Sequence, residues 1–195
     1  MKFSDLLPYI VSTLTTVIGL GIWRYQLIEK RRYEIAERAL IGADEAAQAI
    51  SYIRQSEVDA DEMAKVHPNG LRPEKWLLTL QRIQEHSQTF EELRKITKLI
   101  TMHFGDAAAQ PLLDLMSIHG KICNAHAALF YRGDAENLYP SVTYEQGVEG
   151  WKKIVTFQDD GDIVVDEIND LERKLSAYFS KYLQPSVFRI FSPFK

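Results

Sequence analysis

The amino-terminal part of the chain carries a long uncharged run that continues into charged sequence without a helix breaker at the join. Residues 6–23 contain no Asp, Glu, Lys or Arg and are rich in Leu, Ile, Val and Thr. About twenty such residues are needed for a helix to cross the hydrocarbon of a bilayer. A cleaved signal peptide is disfavoured because Trp23 and Arg24 stand where small residues would mark cleavage. The run therefore predicts a transmembrane helix, with residues 1–24 as a membrane anchor.

Basic residues beyond the run predict its orientation. Arg24, Lys30, Arg31 and Arg32 follow the run, whereas Lys2 is the only basic residue before it. Because Lys and Arg are enriched on the cytoplasmic side, we expect the amino terminus outside the inner membrane and the main body in the cytoplasm. The same four basic residues are expected to contact anionic lipid headgroups.

One side of the predicted span carries small and hydroxyl residues. Ser12, Thr15, Thr16 and Gly19 recur at helical spacing, and small residues four apart allow two membrane helices to approach closely. This side therefore indicates self-association. Two alternatives stay open: the hydroxyl groups bond only their own backbone carbonyls, or this side lines a pore in an oligomer.

The chain after the anchor shows a helical period of apolar residues, and no segment requires a strand. We expect an all-α fold in which the transmembrane helix continues into a cytoplasmic four-helix-type bundle over residues 25–187. The predicted helices cover residues 25–55, 73–104, 106–132 and 162–184.

Two further segments of the chain lack this helical period. Residues 133–161 contain Pro and several Gly residues, which predicts a packed excursion with at most a short helix at 151–157. Residues 188–195 form an apolar tail, which is expected to fold back on the bundle or to dock on the membrane or a neighbouring subunit.

Composition and motifs restrict the function classes. The net charge of −4 gives no general drive toward nucleic acid, and the single cysteine, Cys123, excludes an internal disulfide framework. The chain has no Gly-rich phosphate loop, GxSxG, HExxH or CxxC pair, so no complete catalytic motif is present and no cofactor is expected. The acidic residues 159–162 favour a helix-capping turn over a calcium loop.

The sharpest cluster of chemically active residues is His119, Cys123 and His126. Their spacing of four and three places all three on one side of a helix, and these residue types are common zinc ligands. A structural site needs a fourth ligand from another helix, and the same side also carries Leu112 and Leu115. The pattern therefore favours a bundle core with hydrogen-bonded histidines over a metal site.

A further histidine lies in the apolar stripe of the preceding predicted helix. His86 stands between Ile83 and Phe90, and we expect it to meet His119 or His126 across the helix pair. Such a pair would form a buried polar contact that titrates near neutral pH.

The order of features resembles that of bacterial membrane-anchored helical proteins. An uncharged span is followed by "EKRRYEIAERAL", then "TFEELRKITKLITMHFGDAAAQPLLDLM" and "IHGKICNAHAALFYR". This layout is similar to the small single-span accessory proteins of type VI-B CRISPR systems. The resemblance implies a cytoplasmic domain similar to HEPN folds, assembly into a membrane pore, and a role in antiviral defence.

The same resemblance bears on RNA cleavage. HEPN ribonucleases carry an Arg and a His separated by a longer gap than the three residues between Arg82 and His86. This departure argues against RNA cleavage and is compatible with a catalytically inactive version of the fold.

Together these patterns predict an oligomeric, membrane-anchored helical protein that forms a pore or perturbs the membrane. Its expected partners are the lipid bilayer and further copies of the chain. One alternative is a membrane-tethered scaffold or sensor that binds an unidentified protein or a small ligand at residues 133–161. The other is an enzyme, either a HEPN-like ribonuclease or a metal-dependent one.

Overall fold

The computed structural model describes residues 3–55, 75–133, 142–156 and 161–183, and within these ranges it contains helices and short turns but no strand. The prediction of an all-α fold is confirmed. The helices are α1 Phe3–Arg54, α2 Lys75–Glu85, α3 Ser87–Phe104, α4 Asp106–Gly133, α5 Val142–Val155 and α6 Ile163–Leu183.

Helix α1 is a single helix of 52 residues, about 78 Å long at about 1.5 Å per residue. It passes through the join between the uncharged run and the charged sequence without a break, as the absence of Gly or Pro at that join predicted. Every side chain from residue 8 to residue 28 is exposed, whereas Ile35 is the first of many buried ones. The helix therefore has a free half and a half that belongs to the bundle.

The bundle half of α1 packs closely because the buried face is built mainly from alanine. Six of these alanines are at most 6% exposed: Ala36, Ala39, Ala43, Ala46, Ala47 and Ala49. At Gly42 a Cβ atom would lie 2.8 Å from Cδ1 of Ile96 on α3, which is closer than such atoms pack. Small side chains thus let α3 approach the α1 backbone.

Larger apolar side chains from α3, α4 and α6 complete one core around this alanine face. Helix α4 contributes the predicted Leu112 and Leu115, and α6 contributes Leu175 and Phe179, all at most 1% exposed. The ring of Phe104, at the end of α3, meets Phe179 edge-on at 5.4 Å. The core therefore joins α1 with α3, α4 and α6 in one bundle.

The prediction of one continuous helix over residues 73–104 was wrong, because the chain breaks at His86 between α2 and α3. His86 has φ −95° and ψ 5°, and no side chain caps the following helix. The break turns the His86 ring edge-on to Tyr52 of α1 at 5.3 Å. No Gly or Pro marks this position, so the helical period alone could not show it.

Helix α5 occupies part of the segment predicted to lack a long helix. Its side chains Trp151 and Val155 pack with Ala125 and Leu129 of α4 in a small second core. Burial of this face compensates for the low helix propensity of Gly150 within α5.

The predicted apolar tail at 188–195 lies outside the described residues, as does the segment 56–72 that connects the first two predicted helices. The side chains of Leu6 and Leu7, at the start of the predicted membrane span, also lie outside the described set.

Candidate functional site

The free half of α1 presents an uncovered apolar surface. We define the apolar segment as residues 8–23, which contain no charged side chain. Nine large apolar side chains of this segment are between 46% and 72% exposed: Tyr9, Ile10, Val11, Leu14, Val17, Ile18, Leu20, Ile22 and Trp23. They occupy all sides of the helix, so no single neighbouring helix could cover them.

The threonine hydroxyl groups of the apolar segment bond to the backbone of their own helix. Thr15 donates to the Val11 carbonyl at 2.6 Å, and Thr16 donates to the Ser12 carbonyl at 2.9 Å. Gly19 has no heavy atom within 4 Å of the position its Cβ would take. The hydroxyl groups are therefore satisfied without water, and the backbone at Gly19 stays open to the approach of another chain.

Charge begins abruptly where the apolar segment ends. Of the four predicted headgroup contacts, Arg24 and Lys30 are exposed on the free half. Arg31 lies 3.5 Å from Glu34, and Arg32 lies 3.4 Å from Glu29, each one turn away on the same helix. These are intrahelical pairs near the surface, of the kind that contribute at most about 1 kcal/mol.

The prediction of a membrane-crossing helix does not gain support from the structure. Among the helices of the described ranges, none combines the length and the apolar character that a membrane crossing requires.

The His119, Cys123 and His126 cluster is built into the bundle. The His119 ring stacks on Phe90 with centroids 3.6 Å apart, and its Nε2 lies 3.5 Å from Sγ of Cys123. His126 is 4% exposed. Within the described residues, no group of three or more His, Cys, Asp or Glu side chains is placed to hold a metal ion.

Burial shifts the protonation of two members of this cluster. It lowers the pKa of His119 and raises the pKa of the Cys123 thiol, because both charged forms lose hydration. His119 is thus held in its neutral form and Cys123 as a thiol. A raised thiol pKa works against reactivity, since the thiolate is the nucleophile and metal ligand.

Arg82 and His86, the nearest match to a HEPN catalytic pair, lie in a structural contact at the end of α1. Arg82 is 3% exposed. Its Nη1 donates to the carbonyls of Tyr52 at 3.3 Å and Gln55 at 2.6 Å, and its guanidinium lies over the Tyr52 ring. Arg82 therefore caps the carboxyl end of α1, a role that leaves it poorly placed to contact an RNA phosphate.

A second buried arginine, Arg54, was not singled out by the sequence. Its Nη2 lies 2.9 Å from Oδ2 of Asp162, and the two side chains are 1% and 5% exposed. Arg54 also donates to three carbonyls at the end of α5, those of Lys153, Ile154 and Thr156, at 2.8–3.1 Å.

Asp162 pairs with Arg54 of α1 and also caps the start of α6. Its Oδ1 accepts from the backbone N–H groups of Val164 at 3.0 Å and Val165 at 3.3 Å, so it is the N-cap of α6 that the capping-turn prediction implied. With Arg54 it links the end of α1, the end of α5 and the start of α6. We call this arrangement the Arg54 node.

No known protein-family model, curated protein or solved structure matches this chain.

Proposed function

We propose that the protein is a membrane-attached helical assembly in which the apolar segment of α1 inserts into a bilayer and the bundle is held outside it. The observation that carries this proposal is the change of surroundings along one helix. The same α1 that buries one face in the bundle from Ile35 onward presents an uncovered apolar surface before Arg24.

The size of the uncovered surface favours lipid over water. Each of the nine large side chains is about half exposed, and covering such a side chain contributes on the order of 1 kcal/mol. The sum is on the order of 10 kcal/mol, comparable to the whole stability of a typical domain. A helix that is apolar on all sides is suited to lipid, or to lipid shared with other copies of itself.

The length of the segment bears on how it inserts. Sixteen residues from 8 to 23 span about 24 Å of helix, whereas the hydrocarbon core is about 30 Å thick. Residues before Pro8 would therefore have to contribute to a full crossing. In that arrangement the basic residues from Arg24 to Arg32 would face headgroups and keep the bundle on the cytoplasmic side.

Assembly and permeability form the second part of the proposal. The open backbone at Gly19 and the internally bonded Thr15 and Thr16 support close contact between copies. Pore formation and a part in antiviral defence come from the resemblance and stay predictions. Release of a trapped dye from vesicles, measured with the detergent-corrected mass of the particle, tests them: a monomer that releases no dye would exclude a pore.

Membrane attachment is tested by flotation of the full-length chain with lipid vesicles. Val17→Arg places a charge at the centre of the apolar segment, which costs about 2.5–3.5 kcal/mol and should weaken vesicle binding roughly hundredfold. Met102→Arg is the matched control, because Met102 is also an exposed apolar residue, at 79%, but lies on α3 of the bundle. Equal flotation of both variants would refute the proposal.

A further inference from the structure

We propose that a pocket between α4, α5 and α6, open at the surface of the bundle, binds a small organic monoanion with an apolar body. This pocket lies away from the apolar segment, so the inference goes beyond membrane attachment and stands independently of it.

The pocket has the size and walls of a small-molecule site. Its volume is about 350 Å³, room for about a dozen non-hydrogen atoms at about 30 Å³ each. Apolar walls come from all three helices, with Ile118 on α4, Ile154 on α5 and Val164 on α6. Gly150 of α5 also lines it, and a Cβ at that position would meet no atom within 4 Å. The α5 wall is therefore bare backbone at this point, with room for a larger side chain.

The charged residues that line the pocket favour an anion. Lys121, Lys153 and Glu167 come from α4, α5 and α6 respectively. Lys121 Nζ lies 3.1 Å from Glu167 across the opening. The remaining acid, Asp162, is neutralised by Arg54 at 2.9 Å and by the N–H groups at the start of α6. Among the described residues that line the pocket, the two lysines thus exceed the one available carboxylate by one charge.

An apolar interior with one surplus positive charge at its lining matches a short fatty acid or a similar carboxylate. A neutral ligand would not use the surplus charge, and a cation would be repelled by it. Octanoate, octanol and octylamine share one apolar chain and differ in head-group charge, so they separate these possibilities.

The test is calorimetric titration of the three probes into the full-length chain in a non-ionic detergent. Gly150→Leu fills the pocket and, because Leu is the better helix former, is expected to keep α5 folded. Gly120→Leu is the matched control: Gly120 also lies within a helix with open space around its Cβ position but does not line the pocket. We expect octanoate to bind the unmodified chain and Gly120→Leu equally, and Gly150→Leu at least tenfold more weakly. Equal octanoate binding by the two glycine variants, or octanol or octylamine binding as tightly as octanoate, would overturn the proposal.

A second experiment removes the charges of Lys121 and Glu167 one at a time, which should change octanoate binding in opposite directions. Lys121→Gln should weaken octanoate binding roughly two- to fivefold, and Glu167→Gln should strengthen it by a similar factor. Both side chains are about half exposed, so neither change threatens folding. Effects of the same sign, or no effect of either change, would contradict the role of the surplus charge.

Discussion

Replacing Arg54 by Met tests whether the Arg54 node holds the bundle together. The change removes four hydrogen bonds of 2.8–3.1 Å and leaves the Asp162 carboxylate buried without its cation. Removing one partner of a buried ion pair costs about 3–5 kcal/mol, and the three carbonyls at the end of α5 would also lose a donor. We therefore expect the free energy of unfolding to fall by at least about 3 kcal/mol.

The assay is denaturant unfolding followed by circular dichroism in a mild non-ionic detergent, with Arg173→Met as the control. Arg173 lies 2.8 Å from Asp170, much the same distance as in the Arg54 node, but Arg173 is 77% exposed. A fully exposed ion pair contributes little to stability, so the control should leave the free energy of unfolding almost unchanged. A loss below about 1 kcal/mol for Arg54→Met, or equal losses for the two variants, would refute the reasoning.

A double-mutant cycle separates the ion pair from the capping role of Asp162. Asp162→Ser keeps an oxygen that can cap α6 but removes the charge. Since each single variant removes one partner of the Arg54–Asp162 ion pair and the double variant removes both, we expect the double variant to lose at least about 1.5 kcal/mol less than the sum of the two single losses. Additive losses would show that the two side chains act separately.

Two further predictions concern packing and pH. Ala46→Leu should destabilise the bundle by about 1–3 kcal/mol, because Ala46 is fully buried and the added atoms must displace its neighbours; the exposed Ala107→Leu is the control in the same unfolding assay. Because the pKa of His119 is lowered on folding, the unfolded chain binds more protons than the folded chain below about pH 6.5. The free energy of unfolding should therefore decrease as the pH is lowered through this range, by at most about 1.4 kcal/mol per pH unit. His119→Phe should reduce this slope between about pH 7 and pH 5 while retaining a ring against Phe90, and an unchanged slope would contradict the assignment.

Part of the fold could be predicted because it rests on local patterns. The continuity of α1 follows from the absence of Gly or Pro between Trp23 and Ile35, and the end of α3 follows from Gly105, whose φ of 87° suits glycine. Asp162 could be recognised as a cap because a periodic helix follows it directly. Such features need only residues within a few positions of one another.

The remaining features depend on contacts distant in sequence. Arg54 reaches acceptors 99–108 residues away, and nothing in its own neighbourhood distinguishes it from a solvent-exposed arginine at a helix end. At the helix break the His86 ring meets Tyr52 on another helix, a contact that the neighbouring sequence does not reveal. The pocket near Gly150 likewise exists only once three separate helices pack, so its walls could not be predicted from the sequence.

Chemical labelling of two single-cysteine variants in vesicles tests the central claim most directly. Val17→Cys and Ile41→Cys, in a Cys123→Ser background, place thiols at two positions of α1 that are 62% and 52% exposed in the isolated chain. If the apolar segment lies in lipid, a membrane-impermeant maleimide applied to the face of the membrane that carries the bundle should label position 41 at least tenfold faster than position 17. Labelling of both positions at the same rate would contradict membrane insertion of the segment.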